Sequence, residues 1–309
     1  MILGIANSNM KPELQNILKV CFDEKDEAID LLFKEKFKED MTTVGIVDGK
    51  IVSAVYIFEN SIIYNKTEIP SCYMYAVATL PAYQGKGYMK ELLDYSEKIA
   101  RQKGKAFSTL YPADKNLCKF YEKLGYKQFF KACIIEIRDH ELSGALLKYK
   151  KDNNNFEGVQ YNDTFKPEMS TQNKVDYHHL LQIRKNAYGN PGDVFWDQSH
   201  ISYAMKINKI YGGDTFFAGN SYAIVRRSND VVEIVDSVMT KEDIVILITE
   251  IKKKYPAKKY RFRLPPKSQL FKIGGNDLPF GMIKPLTDNE SYNRILLELK
   301  SPYLGLVLD

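Results

Sequence analysis

The 309-residue sequence has no apolar run approaching the roughly 18 to 20 residues that cross a bilayer, so no membrane-spanning helix and no membrane partner are expected. Close cysteine pairs are also missing. The four cysteines, Cys21, Cys72, Cys118 and Cys133, lie far apart, with no CxxC spacing and no adjoining histidine cluster. That argues against a zinc site or a disulfide framework, and it suits a reducing cytoplasm. No metal is expected. The opening "MILGIANSNMKPELQ" lacks the basic start, apolar core and small-residue cleavage site of a secretory leader. Charge of one sign is scarce as well. The formal net charge is +5, and much of the excess sits in "KKKYPAKKYRFR", residues 252–263. A solvated surface is the plain reading of that run, and a nucleic-acid patch is the alternative.

What is present is the composition of a globular protein, 44% hydrophobic and 27% charged, with length for two domains. The first half has a definite rhythm. "KPELQNILKVCFDEKDEAIDLLFKEKF" places Leu14, Ile17, Leu18, Cys21 and Phe22 at helical spacing, with Pro12 in the opening turn. Two β-rich runs flank Asp48-Gly49, a strong hairpin signal. "SIIYNKTEIP" and "CYMYAVATL" extend the antiparallel meander. A helix with Leu92, Leu93, Tyr95, Ile99 and Ala100 facing inward, the strand "KAFSTLYP", the helix "DKNLCKFYEKLG" and the closing strand "YKQFFKACIIEIR" complete the unit. Residues 148–174, rich in Asn, Lys and Thr, read as a connector. Beyond them come two helices, strands, a helix and a strand, ending in strands near "GMIKPL" and "YLGLVLD". The pattern predicts an α+β fold with a mixed, mostly antiparallel central sheet flanked by helices, occurring twice.

The chemistry concentrates in "PAYQGKGYMKELLDYSEKIARQKG", residues 81–104. A Walker loop would need GxxxxGK followed by Ser or Thr, which is absent. A dinucleotide fingerprint would need a third glycine where Lys90 stands. What remains is Gln84-x-x-Gly87-x-Met89 between a strand and a helix. Such a turn aims backbone N–H groups and a helix N-terminus at one point, which suits a pyrophosphate. The residues alone leave a plain strand-to-helix connection open as the alternative.

The segment "VATLPAYQGKGYMKELLDYSEKIARQKG", followed by "LYPADKNLCKFYEKLGY", resembles the acetyl-CoA motif and downstream motif of the GNAT N-acetyltransferases. The resemblance covers roughly residues 1–140. Gln84, Gly87 and Met89 occupy the places of the family pattern Gln/Arg-x-x-Gly-x-Gly/Ala, and Met89 is the departure from it. The tandem layout, with no motif in the second half, is similar to the bacterial enhanced-intracellular-survival proteins without their third, sterol-carrier-like domain. The resemblance implies a catalytic, acetyl-CoA-binding unit over 1–147, the connector 148–174, and a second GNAT-like unit over 175–309. It implies that Val77, Ala78 and Thr79 pair with the pantetheine arm and that a backbone N–H there stabilises the oxyanion. Gln84, Gly85, Lys86, Gly87, Tyr88 and Met89 form the pyrophosphate turn, and Asn116 helps to seat the coenzyme. Tyr121 protonates the departing thiolate. The partner so implied is a primary amine of a small molecule or peptide.

Other candidates carry less. His178 and His179 are neighbours that diverge by about 100° on a helix, and His140 and His200 have no recognisable partners. Trp196 with Phe195 reads as a core or interface anchor. Glu59 and Glu68 are candidates for a base, and neither is assigned. A homo-oligomer is compatible with the sequence. The alternatives to an N-acyltransferase are an acyl-CoA sensor without turnover and a nucleic-acid-binding interaction protein.

Overall fold

The computed structural model describes residues 1–152 and 177–308. The chain opens with β1 (Ile2–Ile5), α1 (Lys11–Phe22), α2 (Asp26–Glu35), β2 (Thr42–Val47), β3 (Lys50–Tyr64) and β4 (Thr67–Thr79). Then come α3 (Tyr88–Gln102), β5 (Phe107–Leu110), α4 (Lys115–Lys123), β6 (Lys127–Gln128), β7 (Lys131–Arg138) and α5 (Asp139–Asp152). The second half begins with α6 (Tyr177–Ala187), β8 (Val194–Phe195) and α7 (Gln198–Ile210). It continues through β9 (Asp214–Ala218), β10 (Ser221–Ser228), β11 (Val231–Val238), α8 (Ile244–Lys254) and β12 (Lys259–Leu264). The last elements are β13 (Gln269–Leu270), β14 (Ile273–Gly274), β15 (Asn276–Pro279), β16 (Met282–Pro285) and α9 (Glu290–Glu298).

Local chemistry sets many of these boundaries. Pro12 opens α1, and Asp23 ends it in the left-handed conformation (φ 53°), so the expected helix over 11–37 is two helices. Asp48 and Gly49 both have positive φ (48° and 75°), as a two-residue hairpin turn requires. Asn65 and Lys66 do the same (50° and 62°), so "SIIY" extends β3 while "TEIP" opens β4. β3 is buried along most of its length on both faces, which is why its sequence is nearly continuous in apolar residues.

Two large sheets result, each antiparallel apart from one parallel pair, and β13 and β14 form a separate two-stranded sheet. The first has the order β1-β2-β3-β4-β5-β16-β6, with β8 added beside β3. The second has the order β15-β7-β12-β11-β10-β9. Each half lends a strand to the other. β7 lies between β12 and β15, and β16 lies between β5 and β6. The single closing strand expected from "YKQFFKACIIEIR" is therefore two strands in two sheets. The chain bends between them at Phe129 and Phe130, whose N–H groups both reach Gly281 O (3.2 and 3.3 Å). Beyond the bend, Cys133, Ile135 and Ile137 pack into the second core with Ile248 and Phe262.

The end of the chain also departs from expectation. "YLGLVLD" is no strand among the described residues, because Gly305 is left-handed (φ 75°) and Val307 N turns back onto Gly305 O (2.9 Å). The segment 302–307 is nevertheless buried between the halves. Helix α5 continues through residues 148–152, where the connector was expected to start, and the rest of that connector lies outside the described residues.

Candidate active site

β4 is the strand from which the site is built. It pairs with β3 along its whole length, but with β5 only over Ser71–Tyr73 against Phe107–Thr109. From Met74 to Thr79 its β5-side edge has no strand neighbour among the described residues. The two parallel strands part there, leaving an opening with unpaired backbone groups. Opposite that opening β4 carries an extra residue. Ala54 pairs with Ala78 and Tyr56 with Tyr75, and Ala76 is left-handed (φ 48°). Such a bulge bends the strand and shifts the phase of its side chains. Before it, Cys72 and Met74 pack toward α3, while Tyr73 and Tyr75 pack on the other face. After it, Val77 packs toward α3 and Ala78 packs on the other face.

The glycine turn follows directly. Gln84 Nε2 donates to Thr79 O (2.9 Å), tying the turn back to the end of β4. Gly85 and Gly87 have φ of 75° and 82°, and a Cβ at either would meet nothing within 4 Å. The glycines thus answer to backbone conformation and leave the space in front of them open. Gly87 caps the N-terminus of the 15-residue α3 with no side-chain hydrogen bond. An uncapped helix start carries free N–H groups and partial positive charge, the two requirements for an anion. Lys86, exposed in the same turn, has its ammonium 5.3 Å from the Tyr83 ring centroid. Met89 packs its side chain into the cluster under α3, so its backbone N–H is not covered by it.

Tyr121 lies on α4, whose start is capped by Asp114 Oδ1 accepting from Asn116 N (2.7 Å) and Leu117 N (2.8 Å). The tyrosine is 6% exposed and packs edge-on against Tyr126 at 5.7 Å between ring centroids. Val77, Met89 and Cys118 border the same cluster. Burial pushes the Tyr121 phenol well above its ordinary value of 10, so it keeps its proton. Its hydroxyl has no hydrogen-bond partner among the described residues. Val77, Met89 and Tyr121 thus share one hydrophobic cluster. Asn116 is different: its side chain is exposed at the start of α4, and no hydrogen bond links it to the turn.

The two candidate bases are poorly placed. Glu59 is paired with Lys105 (2.7 Å) and Lys38 (2.7 Å), which pull its carboxyl down to about 2. Glu68 accepts from Ser61 Oγ, and it lies eight residues before the bulge, about 26 Å along the strand. His200 is fully buried, stacked on Trp196 at 3.9 Å, and donates from Nε2 to Leu306 O (3.2 Å). Burial drives its pKa well below the ordinary range. Trp196 Nε1 donates to Leu304 O (2.8 Å). Both side chains anchor the buried 302–307 segment. Part of the basic run is paired internally: Lys252 pairs with Asp139, Lys254 with Asp214, Lys259 with Glu136, and Arg261 with Glu136 and Glu233, while Lys253 and Lys258 are exposed.

One feature had no sequence signal. The connection between α1 and α2 is held by the far end of α7, 185 residues and more along the chain. Tyr211 OH donates to Glu24, and Lys25 Nζ donates to Ile210 O (3.1 Å). A small groove beside this contact runs between Glu24, Leu18, Tyr75 and Tyr203. It lies on the β4 face opposite Tyr121.

Residues 6–129 match the model of the acetyltransferase (GNAT) domain family. More than nine-tenths of the chain shares its fold with several solved structures. A GCN5-related N-acetyltransferase from Kribbella flavida is 15% identical with a TM-score of 0.67, over 92% of this chain and 72% of that one. Eis1 from Mycobacterium abscessus is 9% identical with a TM-score of 0.65, over 93% and 74%. A tandem GNAT protein from the clavulanic acid biosynthesis pathway is 10% identical with a TM-score of 0.50, over 93% and 100%. No curated protein matches the sequence.

Proposed function

We propose that the protein transfers an acetyl group from acetyl-CoA to a primary amine of a small molecule or peptide, with both substrates bound together. One observation carries the reading: an unpaired, bulged edge of β4 runs into an open glycine turn and an uncapped helix start, with Tyr121 packed beside it. The turn leaves room for the coenzyme, because a Cβ at Gly85 or Gly87 would meet no described residue within 4 Å. Backbone groups of Val77, Ala78 and Thr79 would pair with the amides of the pantetheine arm. The N–H groups of Gly85 to Met89 would take the pyrophosphate, with Lys86 adding charge.

In the transfer, the amine nitrogen bonds to the acetyl carbon and the carbon–sulfur bond breaks. Tyr121 gives its proton to the departing thiolate, and the proton that the amine loses restores the phenol through solvent. A backbone N–H at the bulge would stabilise the oxyanion between these events. The second half is assigned the acceptor side, since α7 holds the Asp23–Lys25 connection and brings Tyr203 beside Tyr75. Labour is then divided between 1–147 and 175–309, although each lends a strand to the other. A cytoplasmic location fits four free cysteines, two of them buried. Among the described residues no helix is long and apolar enough to cross a membrane.

The test is thiol release from acetyl-CoA across a panel of primary amines, with products weighed by mass spectrometry. Amine-dependent thiol release with an acetylated product supports the reading. Acetyl-CoA binding without release for any amine would make the protein a sensor instead.

A further inference from the structure

The acetyl transfer proposed above leaves one proton unplaced. An alkyl amine arrives at neutral pH as an ammonium ion and has to shed a proton before its nitrogen can attack. Tyr121 keeps its own proton and packs on the α3 face of β4, so it does not take this one. The other face of β4 is where Tyr75 packs.

Many carboxylates of this chain are spent on structure. Glu59 is held by Lys105 and Lys38, Asp26 by Lys19 (2.7 Å), and Glu35 by Lys206 (2.6 Å). At the start of α8, Asp243 fills the cradle that a helix N-terminus offers an anion, accepting from Asn220 N (2.8 Å) and Thr240 Oγ1 (2.9 Å). Glu24 is different, for it forms no ion pair among the described residues. The lysine beside it, Lys25, reaches away to Ile210 O (3.1 Å) and lies 4.8 Å from the Tyr211 ring centroid. Glu24 Oε2 accepts from the Tyr211 hydroxyl, which fixes the carboxylate and leaves Oε1 for another donor. Asp23, its other neighbour, is exposed and does not line the groove.

The groove between Glu24 and Tyr75 has a volume of about 10 Å³, the space of one water. Glu24 and Tyr75 both line it, among mostly aliphatic neighbours. The Tyr75 ring is fixed by stacking on Phe58 at 4.7 Å, and it stands one residue before the left-handed Ala76 of the bulge. Burial and the nearby Glu24 carboxylate hold its phenol well above the ordinary value of 10. Tyr75 therefore stays a neutral hydroxyl, able to accept one hydrogen bond and donate another.

We propose, resting on the acetyl-transfer reading, that Glu24 is the base: the incoming ammonium passes it a proton through the Tyr75 hydroxyl and one water in the groove. The nitrogen donates to Tyr75 Oη, Tyr75 donates to the water, and the water donates to Glu24 Oε1. One proton moves along the chain, and the nitrogen lone pair is freed to bond the acetyl carbon. Glu24, half-buried in the connection between α1 and α2, then returns the proton to solvent. The second proton, lost by the nitrogen after the carbon–nitrogen bond has formed, is the one that restores Tyr121. Acid and base thus stand on opposite faces of β4.

The test compares ethylamine, an ammonium ion at neutral pH, with trifluoroethylamine, which is similar in shape and already neutral there. Thiol release is measured for both at saturating acetyl-CoA. Glu24→Gln keeps an oxygen for Tyr211 and removes only the basicity. It should lower kcat on ethylamine by about 10²-fold or more, while kcat on trifluoroethylamine holds. Tyr75→Phe keeps the ring on Phe58 and should show the same split. Equal losses on both amines would make Glu24 a residue that only shapes the connection, and an unchanged rate on ethylamine would remove it from the transfer. Either result overturns the proposal, as does a split in Glu24→Gln that is absent in Tyr75→Phe. If the unaltered protein acetylates neither amine, the acetyl-transfer reading itself fails, and the relay falls with it.

Discussion

Tyr121 meets two demands at once. Its ring fills a core position against Tyr126, and its hydroxyl keeps a proton with no acceptor among the described residues to take it. Tyr121→Phe separates the two, since it keeps the ring and removes only the donor. General acid catalysis is worth about 10²- to 10⁴-fold, so kcat is expected to fall by at least about 100-fold. Acetyl-CoA affinity and melting temperature are expected to hold. A less stable variant with unchanged turnover per folded molecule would leave Tyr121 a packing residue. Glu59 gives a second test at this scale. Hydrogen bonds from Lys105 and Lys38 lower its carboxyl from 4.5 to about 2. The folded value lies below the unfolded one, so the stabilisation is present above about 4.5 and is lost as pH falls toward 2. Glu59→Gln is therefore expected to flatten the acid limb of a stability–pH curve in that window. Because the carboxylate is 45% exposed, solvent weakens the effect. An acid limb as steep as that of the unaltered protein would rule it out.

The glycine turn is the element on which the proposed coenzyme binding rests, and its two kinds of constraint can be parted. Gly87→Ala meets no atom within 4 Å, but it places a side chain at φ 82°, at a cost of about 1 kcal/mol. Gly87→Glu adds bulk and negative charge on the face meant for phosphates. Both variants are expected to lose similar stability without ligand. Only the Glu variant should lose all thermal protection by acetyl-CoA. Gly274→Glu, where a Cβ also meets nothing, is the control in the second half and is expected to keep full protection. Equal protection of all three would show that the coenzyme binds elsewhere. This turn was legible in the sequence because its signal is local, two glycines at a strand-to-helix junction, and so was the Asp48-Gly49 hairpin. The bulge at Ala76 was not, since no residue type marks a left-handed alanine. Nor was the fate of "YLGLVLD", where Gly305 breaks a segment with the composition of a strand.

At the scale of the molecule, the exchange of β7 and β16 ties the halves into one body. Sequence reasoning saw both strands but not their partners, because "KACIIEIR" and "GMIKPL" would satisfy either sheet and pairing is decided by long-range contacts. The consequence concerns fragments. A chain ending at 147 lacks β16, so β5 keeps only its short pairing with β4 and the Lys284–Glu97 ion pair (2.6 Å) is gone. Its β7, with Cys133, Ile135 and Ile137, would be left without a sheet. Such a fragment is expected to aggregate or to unfold without cooperativity, despite carrying the whole glycine turn. The intact chain is expected to unfold in one transition, with Trp196 fluorescence and loss of acetyl-CoA protection coinciding in urea. Two separated transitions would mean that the halves are independent after all.

Hydrogen–deuterium exchange with and without acetyl-CoA tests the placement of the coenzyme most directly. Protection is expected at the free edge of β4, residues 76–79, and through the turn at 84–90. No change is expected at the β11–α8 junction, residues 236–243, where Asp243 fills the cradle. Protection at the second junction, or none at the first, would contradict a single acetyl-CoA site built on β4.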